Sequence, residues 1–282
     1  MFKVGDLLSE SSMKRFFAGA GLMLWGLALP SFAAPTPEII GNYNNGCISG
    51  SVKANLKSPY YQIYHPQNKR YYGHRSIMEF LDRLSVTAHK LGFESLLVGN
   101  ISSEYGGPVN TGHASHQTGL DVDIEFNHRR LSDKELRSRG HAHILVDRGG
   151  KTANQQFTRA YYELIMAAAH DPAVERIFVS PAIKVTMCDM TTDEREQPFL
   201  RKIRPWYGHT EHFHVRLRCP EDAVDCERQL PPTPKKSIAE EKEEALTWFE
   251  PAPANAPKPV RKPKPPLPEK CQLLFDRLKI KY

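Results

Sequence analysis

The sequence predicts an α+β fold: a small central, mostly antiparallel β-sheet flanked by helices, followed by an extended, proline-rich C-terminal tail. Two segments, 76–91 and 153–169, repeat apolar residues at helical spacing. They are mixed with a few short, separated segments of strand character, and such a mixture is typical of the α+β class. From Pro231 onward the sequence is rich in proline and charged residues, a composition that does not build a core.

The N-terminal residues 1–33 are predicted to form a secretory signal peptide. Positive charges at Lys14 and Arg15 precede the uncharged, apolar segment 16–29, and small residues stand at Ser31 and Ala33. This pattern predicts cleavage after Ala33. The alternative is an uncleaved membrane anchor. No later segment is apolar enough to span a bilayer, so the mature protein is expected to be exported and soluble.

Two helices and two buried strands follow in the predicted domain. The segments 95–99 and 176–179 have the length and apolar character of buried strands. The second helix ends at Asp171-Pro172, because the residue before a proline is disfavoured in helical conformation. The apolar stripes consist of Ile77, Phe80, Leu81, Leu84, Ala88 and Leu91 in the first helix, and of Phe157, Ala160, Tyr161, Leu164, Ile165 and Ala168 in the second.

Two further strands, 120–124 and 212–217, alternate apolar and polar residues, so each has an apolar back and a polar front. If the two strands pair in one sheet, their polar fronts converge on one point. The backs are Leu120, Val122 and Ile124 in one strand and Phe213, Val215 and Leu217 in the other; the fronts are Asp121 and Asp123, and His212, His214 and Arg216.

This convergence predicts a zinc site on the sheet face. His116 precedes the first strand in a turn-rich run, and with Asp123 and His214 it offers two imidazoles and a carboxylate. Zinc binds such ligands at roughly 2.0–2.2 Å, and three protein ligands leave one position open for water. The pattern therefore favours a zinc hydrolase. The alternative for His116 and Asp123 is a purely structural His–Asp pair.

Four motifs, in this order, resemble the penicillin-insensitive murein endopeptidases, a family with the lysostaphin/D-Ala-D-Ala-peptidase/hedgehog-type zinc fold. They are GHASHQTGLDVDI (112–124), IFVSPAIK (177–184), RPWYGH (204–209) and HFHVRLRCP (212–220). The resemblance runs from about Tyr43 to the C-terminus. It implies that His116, Asp123 and His214 hold the zinc, and that His209 and His212 are catalytic side chains near the metal.

A second metal is a separate question. His113 stands three residues before His116 and is predicted to be a further metal ligand. The alternatives are that it orients another ligand or caps the turn. The resemblance implies a second zinc held by an Asp and a His from the loop before the second helix. That loop contains Asp147 here but no histidine, which disfavours a stable second site.

The remaining polar residues near the site have predicted roles in metal-assisted amide hydrolysis. Asp121 shares a face with Asp123 and is suited to orienting an imidazole. His212 lies one pleat from His214, roughly 6–7 Å along the strand, which suits contact with water or an oxyanion rather than ligation. Glu211 points away from His214 along a regular strand, so His209 or His212 is expected to be the base.

The substrate and the location follow from the resemblance, which implies cleavage of D-alanyl–diaminopimelate cross-links of peptidoglycan in the periplasm. The net charge of +6 and the pI near 9.0 favour an anionic partner such as murein, and no nucleic-acid-binding motif is present. The only Ser-x-x-Lys, Ser11 to Lys14, precedes the mature chain, which disfavours a penicillin-sensitive serine mechanism. Two alternatives stay open: a zinc D,D-carboxypeptidase or dipeptidase on the same scaffold, and a non-catalytic cell-wall-binding module.

Five cysteines agree with an oxidising compartment. Cys219 and Cys226 flank a turn-forming run and are predicted to form a local bridge. The resemblance implies that Cys47 pairs with Cys271, and that the usual partner of Cys188 lies between this bridge and the tail. That region has no cysteine here, so Cys188 is predicted to be free.

The predicted organisation is a signal peptide (1–33), a zinc metallopeptidase domain (34–250) and a proline-rich tail (251–282) tethered by Cys271. The segment 239–246 is a charged patch of helical character near the end of the domain. Two interpretations of the tail remain: an extended strap over the domain surface, or a docking arm for the acidic cell-wall polymer.

Overall fold

The computed structural model describes residues 37–108, 114–230, 236–251 and 263–281, so the predicted signal peptide lies outside the described residues. The strands are β1 (Glu38–Asn42), β2 (Asn45–Ser49), β3 (Val52–Lys53), β4 (Tyr61–Ile63), β5 (Tyr72–Gly73), β6 (Leu96–Val98), β7 (Asp121–Glu125), β8 (Val174–Val179), β9 (Ile203–Pro205) and β10 (His212–Leu217). The helices are α1 (Arg75–Lys90), α2 (Asp133–Leu136), α3 (Arg159–His170), α4 (Pro181–Met190), α5 (Gln197–Leu200), α6 (Ile238–Thr247) and α7 (Glu269–Leu278). Across the described ranges, a helix with the length and hydropathy of a membrane span is not found.

A six-stranded sheet, in the order β4-β6-β7-β10-β8-β9, forms the centre of the fold. The inner pairs β6–β7, β7–β10 and β10–β8 are antiparallel, and the edge pairs β4–β6 and β8–β9 are parallel. Two small hairpin-like sheets, β1–β2 and β3–β5, lie outside it. The predicted α+β class, with a mostly antiparallel central sheet flanked by helices, is confirmed.

The two inner strands β7 and β10 separate the core from the polar face. Val122 and Ile124 of β7, and Phe213 and Val215 of β10, are fully buried and belong to the main core. The same core includes the apolar faces of α1 and α3. Because side chains alternate along a strand, the residues between these positions occupy the other face of the sheet.

The two long helices agree with the sequence pattern, except at one end. Helix α1 differs from the predicted 76–91 by one residue at each end. Helix α3 begins at Arg159, six residues later than predicted. The Asn154 side chain bonds the backbone of Ile144 (3.1 Å) and of Gln156 (3.0 Å), and this local turn replaces the first helical turns. Phe157 still packs in the core from the loop.

The described part of the tail lies against the N-terminal hairpin. The Asn45 amide donates to the carbonyl of Pro266 (3.0 Å), and α7 buries Leu274 and Phe275 beside Ile40. The prediction of an extended tail therefore misses the helix α7. The charged patch is helical as expected, in α6.

The disulfide pattern agrees with the predictions. Cys47 and Cys271 are bonded and join β2 to α7, and Cys219 and Cys226 form the local bridge. Cys188 is the free cysteine of the described residues and lies buried in α4. Two bridges of this kind are typical of exported proteins.

We expect one reactive thiol per chain when the protein is unfolded without reductant, and slow reaction in the native state. Burial raises the pKa of the Cys188 thiol to about 11, so the reactive thiolate is scarce at neutral pH in the folded chain. Titration with a thiol reagent in denaturant, with Cys188→Ser as the control, measures this. No reactive thiol in the unfolded wild type contradicts the prediction.

Candidate metal centre

The pairing of β7 with β10 places the predicted polar fronts side by side. His214 stands directly opposite Asp123, and Arg216 stands opposite Asp121. These pairs lie on the face of the sheet that is turned away from the core. One atom each of His116, Asp123 and His214 lie within 4.8 Å of one another, and all three residues are buried. The structure thus brings together three of the four predicted metal residues.

His116 reaches this cluster from the loop before β7, with its backbone in the left-handed region (φ 67°). Non-glycine residues adopt this conformation rarely, and functional sites are among the places where it is found. The His116 backbone N–H donates to Asp121 (3.1 Å), which helps to hold the loop in place. The His116 ring N–H at Nδ1 donates to the Ile101 carbonyl (2.9 Å), since a carbonyl accepts only. The lone pair of Nε2 therefore faces Asp123, 3.3 Å away.

His214 is oriented in a similar way by Asp121. Its Nε2 lies 2.9 Å from Asp121 Oδ1, and the guanidinium of Arg216 donates to the same oxygen at 2.8 Å. Although burial alone opposes ionisation, Arg216 and His214 hold the pKa of Asp121 below its usual range, so Asp121 is an acceptor. His214 therefore donates from Nε2, and its Nδ1 faces Asp123 Oδ1 at 3.0 Å.

This donor set fits a metal cation. Two imidazole nitrogens with lone pairs and one carboxylate point at a common space, and each imidazole has its other nitrogen bonded to a fixed acceptor. Such outer hydrogen bonds are typical of metal-binding histidines. In the metal-free protein a proton on His214 Nδ1 satisfies the Asp123 carboxylate. Burial opposes a charge on His214, but Asp121 and Asp123 outweigh it and raise the pKa of His214 to about 9.

His209 and His212 lie beside this cluster. His212 Nε2 is 3.7 Å from Asp123 Oδ1, and the rings of His209 and His212 are 5.0 Å apart. The His209 ring N–H at Nδ1 donates to the Tyr207 carbonyl at 3.0 Å, and its backbone is also left-handed (φ 48°). Burial, followed by the nearby His212 and His214, lowers the pKa of His209 to about 4. Burial also lowers the pKa of His212, so both rings are neutral at pH 7.

An open cavity of about 460 Å³ extends from the cluster to the surface. The sequence analysis identified the histidines and Asp123 but missed most of the cavity wall. The alternation of Arg176 and Phe178 with buried Ile177 and Val179 on β8 was the available signal for two of the missed residues. The missed wall residues are Asn44, Arg176, Phe178, Trp206, Tyr207 and Gln229.

Three other predictions concern residues near the site. His113 lies outside the described residues. Asp147 lines a separate cavity with Arg148 and Trp248, and does not line the cavity of the His/Asp cluster. Glu211 is exposed and does not line that cavity; because β10 begins at His212, Glu211 lies outside the regular strand on which its predicted direction depended.

Comparison with known proteins identifies the family. A family model described as penicillin-insensitive murein endopeptidase matches residues 39–276. A protein of that name from Klebsiella pneumoniae is 40% identical over 241 residues, which cover 85% of this chain and 86% of the relative. Another, from Escherichia coli O157:H7, is 43% identical over 244 residues, with coverages of 85% and 86%. A third, from Salmonella arizonae, is 40% identical over 269 residues, with coverages of 90% and 96%. The chain therefore belongs to the penicillin-insensitive murein endopeptidase family.

Proposed function

We propose that this protein is a zinc-dependent murein endopeptidase that hydrolyses D-alanyl–diaminopimelate cross-links of peptidoglycan. The observation that carries the proposal is the convergence of His116, Asp123 and His214 in the open cavity, beside two neutral histidines. The family and the names of the relatives support murein as the substrate. The two disulfides support an exported, periplasmic enzyme.

The zinc would be held by His116, Asp123 and His214, and when bound it supplies Lewis acidity toward the scissile carbonyl and the attacking water. Asp121 keeps His214 in the tautomer that presents Nδ1 to the metal, and the Ile101 carbonyl does the same for Nε2 of His116. The Nδ1–H of His209 donates a hydrogen bond to the Tyr207 carbonyl, so Nε2 is the proton acceptor of this ring. We assign two roles to His209 and His212 as a pair, without dividing the roles between them. The first is proton transfer from water to the leaving amine, and the second is stabilisation of the oxyanion.

Digestion of purified muropeptides tests this function. We expect cross-linked dimers to become monomers, with no loss of terminal D-alanine from monomers. Release of D-alanine from monomers without cleavage of dimers instead establishes the carboxypeptidase alternative. Binding to murein without turnover, by protein that is fully loaded with metal, establishes the non-catalytic alternative.

We also expect the activity to be insensitive to β-lactams and sensitive to chelators. The predicted mature chain has no Ser-x-x-Lys nucleophile for a β-lactam to acylate, whereas the proposed reaction depends on a metal. Residual activity is measured after incubation with penicillin, with a chelator, and with a chelator followed by excess zinc. Full activity after complete removal of metal contradicts the prediction.

A further inference from the structure

Two arginines stand side by side on the wall of the cavity. Arg176 of β8 is directly opposite Arg216 of β10, and both residues line the cavity. Like charges directly opposite each other in a sheet are destabilising unless something compensates them. The partners of each guanidinium group decide whether its charge is compensated.

Arg216 is fully engaged within the protein. It donates to Asp121 and to the side-chain oxygen of Gln229 (3.1 Å), and its guanidinium carbon lies 4.2 Å from the centre of the Tyr43 ring. The carboxylate of Asp121 compensates its charge. Arg216 is accordingly part of the structure that orients His214.

Arg176 makes no ion pair of this kind with any described residue. Its Nη2 donates to the neutral carbonyl of Leu230 (2.6 Å), and its buried Nε has no hydrogen-bond partner there. The adjacent Glu175 stands at an irregularity in the pairing of β8 with β10, and its carboxylate is 4.0 Å from Arg218. Burial, Arg204 and Arg216 lower the pKa of Arg176, and together they outweigh the nearby Glu175, which raises it.

We infer that Arg176 binds a carboxylate of the murein peptide, namely the one on the carbon that carries the leaving amine. The inference rests on the proposed function. In a D-alanyl–diaminopimelate amide this carboxyl carbon is three bonds from the scissile carbonyl carbon, or about 4 Å. Along β8, Arg176 is two residues, roughly 6–7 Å, from Phe178, which stands opposite His214. The reach of the arginine side chain covers the remaining distance.

A guanidinium on the cavity wall that makes no ion pair with a described residue suits a carboxylate, because charge-assisted hydrogen bonds are the strong ones. The consequence is specificity: cross-links whose diaminopimelate carboxylate is free bind in preference to those in which it is amidated. Arg176 acts here as a specificity residue and takes no part in proton transfer.

The test uses two synthetic cross-linked dimers, one with this carboxylate free and one with it amidated. For the wild type we expect kcat/KM to be about 10- to 100-fold higher on the free dimer, the range of a hydrogen bond to a charged group. Arg176→Gln should lose this preference and keep the wild-type rate on the amidated dimer. Arg218→Gln, which removes a charge at an exposed position of the same sheet region, should keep the preference.

Equal cleavage of both dimers by the wild type overturns the inference, and so does an equal loss on both dimers in Arg176→Gln. Calorimetric binding of both dimers to His212→Ala protein, with and without Arg176→Gln, gives a second readout that does not need turnover. If neither dimer is cleaved, the proposed function fails. The binding comparison then still decides the role of Arg176, because a preference for the free carboxylate that Arg176→Gln removes supports it and equal binding refutes it.

Discussion

Replacing His116 with alanine is expected to remove both the bound metal and the hydrolytic activity. The imidazole is buried beside Asp123 and His214, and its Nε2 has no substitute at that position in the described cavity wall. Loss of one of three ligands leaves an incomplete set for zinc, which needs four donors including water. Because the metal supplies several kcal/mol of transition-state stabilisation, activity should fall by roughly 10³-fold or more. Asp123→Ala is expected to behave in the same way.

Metal content by elemental analysis and cleavage of cross-linked muropeptides measure the two effects together. His89→Ala is a matched control, because His89 is exposed at the end of α1 and does not line the cavity. It should keep both metal and activity. Stoichiometric, tightly held metal in His116→Ala shows that the ion is bound elsewhere.

The second large effect is expected for His212→Ala, which should lose activity while it keeps most of its metal. His212 faces the cavity beside the cluster, with Nε2 3.7 Å from Asp123 Oδ1, but it is not one of the three residues that converge. General acid–base catalysis contributes roughly 10²- to 10⁴-fold, so kcat should fall by that factor. His209→Ala should show a loss of the same kind, since the two rings are 5.0 Å apart in one cavity.

The decisive comparison is kcat at equal metal occupancy, determined for His212→Ala and for the wild type. His212→Gln tests whether a neutral side chain with hydrogen-bonding capacity restores part of the activity, as expected for a group that stabilises the oxyanion. Full activity in His212→Ala refutes the catalytic assignment. If His212→Ala loses metal together with activity, His212 is a metal ligand and not a catalytic side chain.

The sequence by itself determined which residues share a face of the two site strands, and it located α1, most of α3 and the charged helix α6. Alternation along 120–124 and 212–217 separates Asp121, Asp123, His212 and His214 from the core residues between them, and the structure agrees. Helical spacing likewise located α1 within one residue at each end. These features depend on near neighbours in the chain, so periodicity encodes them directly. The start of α3 and the helix α7 did not follow, because side-chain bonds of Asn154 and docking against the N-terminal hairpin determine them.

Only the tertiary structure decided how distant segments meet. The register that sets His214 opposite Asp123 is decisive, since a slip of one residue turns every side chain of a strand to the other face. The bond from His116 to Ile101 and the position of Arg176 beside Arg216 depend on strand and loop contacts between segments far apart in sequence. The packing of the whole core determines which strands pair and in which register. The pattern within any single segment is compatible with several pairings and registers. The residue types of the site could therefore be predicted from the sequence. Their orientation, and the arginines on the wall of the cavity, could not.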